Sequence, residues 1–190
     1  FTTYARAERF CPVPRYRQTA NRLGGAGETD LDLEYAHTMA PWARIIVVAT
    51  PTSENEGTTG FPQIVRAEKF VIDHHLAGVI SQSFGATEQT FGSKGALLKL
   101  RSAYTDAASK GLTVLAAAGD SGAADVMFDQ TTYSLHRVTS WPDSDPLVTG
   151  VGGTQLHLSA SGRRTRPDSV WNDTFSKPTN LFINGAKGPS

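Results

Sequence analysis

The chain has 190 residues, 39% of them hydrophobic, with 18 basic and 18 acidic side chains that cancel to zero net charge. That length carries one domain with a substantial core, and the balanced charge, with no Lys- or Arg-rich run, excludes a nucleic-acid footprint. The single cysteine, Cys11, excludes a disulfide scaffold, and the longest apolar runs fall far short of a membrane span.

Residues 1–27 read as an irregular lead-in with Pro12 and Pro14, and no signal peptide is visible at Phe1. An α/β core is expected over 28–158 and a loop-rich tail over 159–190. "TDLDLEYAHTMA" (29–40) predicts a short helix with acids in its first turn, where the dipole favours them. "RIIVVAT" (44–50) is a continuous β-branched run, expected to be a buried parallel strand. "FPQIVRAEKFVIDHHL" (61–76) predicts a helix, and its His74-His75 pair fits a helix end better than a metal site. "GVISQSFG" (78–85) predicts a second strand. A helix over 93–111 should stop at Gly111. "LTVLAAAGD" (112–120) and "DPLVTGVGG" (145–153) predict a third and a fourth strand. Strands alternating with helices imply a parallel sheet with helices on both faces. Ligands of such sheets bind outside the carboxyl ends of the strands, where "SFG" and "GDSG" lie.

Three groups of residues could carry chemistry. Glu28, Asp30, Asp32 and Glu34 follow a Gly-rich turn. On a helix Glu28 and Asp32 share one face, and Asp30 and Glu34 another. From this segment alone a solvated acidic helix start is the simpler reading. A metal site is disfavoured, since Asp125 and Asp129 add only a loose cluster. Asp120 sits between Gly119 and Gly122 and is either a turn former or a carboxyl displayed at a strand end. Ser121 in "GDSG" is similar to the nucleophile motif of trypsin-like proteases, a poor reading, because those are all-β proteins and this pattern is α/β. Ser83, Phe84 and Gly85 form either an ordinary turn or an edge that lays backbone donors beside an extended peptide. Trp141-Pro142 is a candidate cis bond, and Asn172-Asp173-Thr174 fits a glycosylation sequon, a pattern frequent by chance.

Taken in order, "GETDLDLEYAHTMAPWARIIVVATP", "VISQSFGATEQTF", "TVLAAAGDSGA" and "SWPDSDPLVTGVGGTQL" resemble the sedolisin family, the serine-carboxyl peptidases with a subtilisin-like fold. The resemblance implies that Glu28 is the general base and Asp32 its partner carboxylate. It implies that Asp120 is the oxyanion-hole acid, and that Ser83, Phe84 and Gly85 bind substrate backbone. The chemistry suits these residue types. A serine nucleophile needs a base in reach, and the base needs an orienting group. Glu suits acid pH, where His would already be protonated. Adjacent carboxyls titrate as a coupled pair, so one keeps its proton longer. A protonated Asp can donate to a developing oxyanion.

The family's nucleophile lies in a "GTS" segment well beyond "VGGT", here residues 151–154, yet the sequence reaches Ser190 without one. By resemblance, then, the chain is the central part of a catalytic domain, incomplete at both ends. It is expected to be inactive alone and marginally stable, or paired with the remaining C-terminal fragment. The resemblance further implies a protein or peptide substrate, a secreted enzyme acting at acid pH, and a calcium site in the missing C-terminal part, with no cofactor in this chain. The alternative within the fold is a non-catalytic pseudoenzyme or peptide-binding module. A nucleotide-binding domain is disfavoured, because no G-x-G-x-x-G or Walker-type loop follows any strand.

Overall fold

A computed structural model describes residues 18–50, 59–125, 127 and 132–171, with side chains from Gly27 onward. Cys11, Asp129, the Asn172 sequon and Ser190 lie outside the described residues.

Three parallel strands form the central sheet. β1 (Val79–Gln82) pairs with β3 (Thr113–Ala117), and β3 with β5 (Thr149–Val151), in the order β1-β3-β5. Two small antiparallel pairs flank it. β2 (Ala86–Thr87) lies against β4 (Ser140–Trp141), and β6 (Thr154–Gln155) against β7 (Ser169–Val170). The expected α/β class holds, and the described residues after 158 include β7 and the Arg164 end of a bridge to Leu158.

The helices follow from their sequences with two corrections. α2 (Phe61–Asp73) starts where Pro62 loses nothing by lacking an amide donor, and buries the stripe Phe61, Ile64, Val65, Glu68, Val71, Ile72. His74 caps its end, with Nδ1 2.9 Å from the Phe70 carbonyl. The expected 93–111 helix is two, α3 (Lys94–Leu100) and α4 (Ser102–Ser109). Ser93 caps α3 by accepting from the Ala96 amide at 3.1 Å. The break falls at Arg101, whose guanidinium is held by the Asp145 carboxylate at 2.5 Å. Gly111 then turns the chain at φ 72°, the left-handed stop its sequence predicts. α1 (Gln18–Met39) begins eleven residues before the expected start at 29, so residues 18–27 are helical and not an irregular lead-in. Its first turn holds no acid. Gly24, Gly25 and Gly27 each cost an interior helix about 1 kcal/mol against Ala, which made the earlier start hard to read.

The strands are shorter than their apolar runs. β5 starts at Thr149 because Asp145 first makes a turn, accepting the Leu147 amide at 3.0 Å. The run 44–50 is not a strand at all. Ile45 and Ile46 are half-buried while Val47 and Val48 stay exposed. A β-branched run states a capacity to pair, and that capacity is realised only against a partner ladder. Here Arg44 donates to the Leu76 carbonyl at 3.0 Å, and Ile46, Val48 and Thr50 line a cavity of about 240 Å³ beside β1.

The core gathers α2, α4 and β3 around Trp141. Phe61, Ile64, Val65 and Ile72 meet Phe91, Ala103, Tyr104, Ala107 and Val114 there. Trp141 is 1% exposed, with ring centroids of Phe61, Tyr104 and Phe91 at 5.2, 5.3 and 5.7 Å. Such aromatic pairs add about 0.5–1.5 kcal/mol each beyond area burial. Trp141-Pro142 is a cis bond, as its sequence allowed. α1 differs: Leu31, Tyr35 and Met39, four apart along one face, are exposed, and Trp42 just beyond it is 97% exposed.

Candidate functional site

Because β1, β3 and β5 run parallel, the loops that leave them open on one edge of the sheet. Ser83 directly follows β1. Gly119-Asp120-Ser121-Gly122 follows β3, and Gly152-Gly153 follows β5. Gly119 and Gly122 take φ 84° and 62°, a backbone that L side chains rarely adopt. The two glycines thus carry the chain out of β3 and around Asp120, which is exposed, while Ser121 is buried.

α1 meets this edge through one of its acids. The Ser83 hydroxyl donates to Asp32 Oδ1 at 2.8 Å, across 51 residues of sequence. Two of the residues singled out from separate motifs are therefore in direct contact. Glu28 lies one helical turn before Asp32, about 6 Å along the axis, and is exposed. Asp120 is placed by its strand, on the exit loop of the β1 neighbour. Asp30 and Glu34 are exposed on the same helix.

Phe84 and Gly85 have structural work of their own. The Phe84 ring packs edge-on against Phe61 with centroids 6.2 Å apart, so its side chain serves the core and its backbone stays at the edge. At Gly85 a Cβ would come within 3.3 Å of the Trp141 carbonyl oxygen, so glycine permits the close approach of β2 to β4. A larger cleft, about 490 Å³, lies between α3 and the turn after β4, lined by Glu88, Lys94, Leu97, Arg101, Trp141 and Asp145. None of the predicted site residues lines it. Among the described residues, no three His, Cys, Asp or Glu side chains gather as a metal site, and no helix is long and apolar enough to cross a membrane.

Sequence reasoning missed Glu68. It is 6% exposed, and neither carboxyl oxygen has a hydrogen-bond partner among the described residues. Burial pushes its carboxyl up to about 8, the Tyr104 hydroxyl opposing part of that rise. The available signal was spacing: position 68 falls on the apolar stripe 61, 64, 65, 71, 72.

No family model matches the chain. It is 36% identical over 156 residues to kumamolisin of Bacillus sp. (strain MN-32), covering 82% of this chain and 26% of that protein. It is 30% identical over 166 residues to sedolisin of Pseudomonas sp. (strain 101), covering 85% of this chain and 27% of that protein. Among solved structures, Pseudomonas sedolisin, a serine-carboxyl proteinase complexed with two molecules of pseudo-iodotyrostatin, superposes with a TM-score of 0.52 at 27% identity. That match covers 61% of this chain and 31% of the other. The chain thus spans about a quarter of the length of the curated relatives it matches. Its parallel sheet and helices are those of the subtilisin-like sedolisin fold over the shared part, and within that span the chain belongs to the sedolisin family of serine-type peptidases.

Proposed function

We propose that these residues supply the acid–base and peptide-binding side of a serine-carboxyl endopeptidase that cleaves proteins at acid pH through an acyl-enzyme. Glu28 is the general base, Asp32 the carboxylate that orients and tunes it, and Asp120 the neutral acid that donates to the oxyanion. Ser83, Phe84 and Gly85 offer backbone groups to an extended peptide. The nucleophilic serine comes from outside these 190 residues, as does any calcium site, and the enzyme acts outside the cell.

The observation that supports this reading best is the Ser83–Asp32 hydrogen bond. It joins the acidic helix to the exit of β1, on the sheet edge that also carries Asp120. In the sequence those features lie in three separate motifs.

Acid proteolysis is the test. Expressed with the coding sequence that follows Ser190, the protein should hydrolyse a denatured protein substrate. Glu28→Gln, Asp32→Asn and Asp120→Ala should each lower turnover by about 10²-fold or more, the typical cost of a lost oxyanion donor or base. The 190 residues alone should show no turnover. Full activity in Asp120→Ala, or inhibitor-sensitive proteolysis by the 190 residues alone, overturns the reading.

A further inference from the structure

Glu68 has no place in the proposed chemistry, yet it is a buried acid on α2. It faces inward from α2, and its two carboxyl oxygens are shielded from solvent and unpartnered among the described residues. Tyr104 of α4 faces it, and the Tyr104 hydroxyl donates to Gln82 Oε1 at 3.3 Å. Gln82 is the last residue of β1 and is 3% exposed. The next residue, Ser83, is the one that reaches Asp32.

A hydroxyl has one proton to give: Tyr104 gives it to Gln82, and an ionised Glu68 would compete for it. An ionised Glu68 would thus weaken the Tyr104–Gln82 bond without gaining a cation. Burying such a charge is costly. A protonated Glu68 is itself a donor, and the Tyr104 oxygen has a free lone pair to receive it. We propose that Glu68 is a positioning residue that works as a neutral carboxylic acid, donating to Tyr104, which donates to Gln82, and so fixing the exit of β1 from which Ser83 reaches Asp32.

The surroundings favour the neutral form from every side. α4 presents Tyr104, which desolvation by burial holds in the phenol form. β1 presents Gln82, and the 46–50 segment presents Ile46, Val48 and Thr50, none of which titrates. On α2 itself the adjacent Lys69 turns outward to Asp106 at 2.5 Å. The raised proton affinity of Glu68 follows from this enclosure.

The consequence for peptide binding rests on the role proposed for Ser83, but the test does not use proteolysis. The 190-residue chain, labelled with carbon-13 at its glutamate carboxyls, is titrated by NMR. The Glu68 carboxyl should titrate with a midpoint near 8, and the Gln82 and Ser83 amides should shift with the same midpoint. In Glu68→Gln those amides should lose that step. A Glu68 midpoint in the ordinary carboxylate range, or Gln82 and Ser83 amides that ignore it, overturns the proposal. Should the chain unfold before the titration ends, Glu68→Gln must stay folded to higher pH, and equal folded ranges overturn it too. Failure of the peptidase reading would leave a positive result standing.

Discussion

The α2–α4–β3 layer and the α1 arm are built from similar side chains and held in different ways. In the first, apolar residues at helical spacing close on Trp141 and leave water. In the second, Leu31, Tyr35 and Met39 have the same spacing and remain in solvent. α1 reaches the sheet edge through the hydrogen bond from the Ser83 hydroxyl to Asp32. Periodicity alone therefore does not fix a helix; a facing surface does. Two of the residues proposed for chemistry, Glu28 and Asp32, belong to the α1 arm, and ligand-binding elements are commonly drawn from such less-packed regions.

That contrast should be visible in mutants. Phe61→Ala removes the ring that touches Phe84, Phe91 and Trp141, and should cost about 3–5 kcal/mol in urea unfolding. Tyr35→Ala, on the exposed face of α1, should stay within about 0.5 kcal/mol. Equal losses would erase the distinction between the two regions. Next in size is Asp145, whose side chain is buried, pairs with Arg101 and accepts the Leu147 amide. Asp145→Ala should cost about 1–3 kcal/mol, since it leaves a partly buried guanidinium and an amide unsatisfied.

The pH dependence has a definite sign. Glu68 binds its proton more tightly folded, at about 8, than unfolded, at 4.5. Its stabilisation is complete below 4.5, falls by about 1.4 kcal/mol per pH unit between the two values, and is gone above about 8. Thermal melts of Glu68→Gln should lack this component, and parallel curves for both proteins would count against it. Ser83→Ala should cost less than about 1 kcal/mol. Its effect should appear in hydrogen exchange, as faster exchange over residues 28–36 and unchanged exchange over α4.

The sequence was legible where one element explains its own spacing. α2 is marked by Pro62 and an apolar stripe, and the exits of β1 and β3 by "SQSFG" and "GDSG". The sheet edge that gathers those exits followed from strand alternation. It was illegible where structure depends on something distant. The 44–50 run has strand composition without a ladder. The early start of α1 is hidden by three glycines that helix propensity disfavours. Glu68 looks like a surface acid until α4 and β1 are folded over it. The Ser83–Asp32 contact spans 51 residues, and only the family resemblance hinted that those motifs belong together.

The two tryptophans at the extremes of exposure give each region its own optical reporter. Trp42, 97% exposed at the end of α1, should emit at long wavelength and be quenched readily by acrylamide. Trp141, at 1%, should emit to the blue and resist quenching until the core opens. A ligand that docks on the α1 arm would thus dim or shield one fluorophore and leave the other unchanged, and a denaturant would be seen by the second.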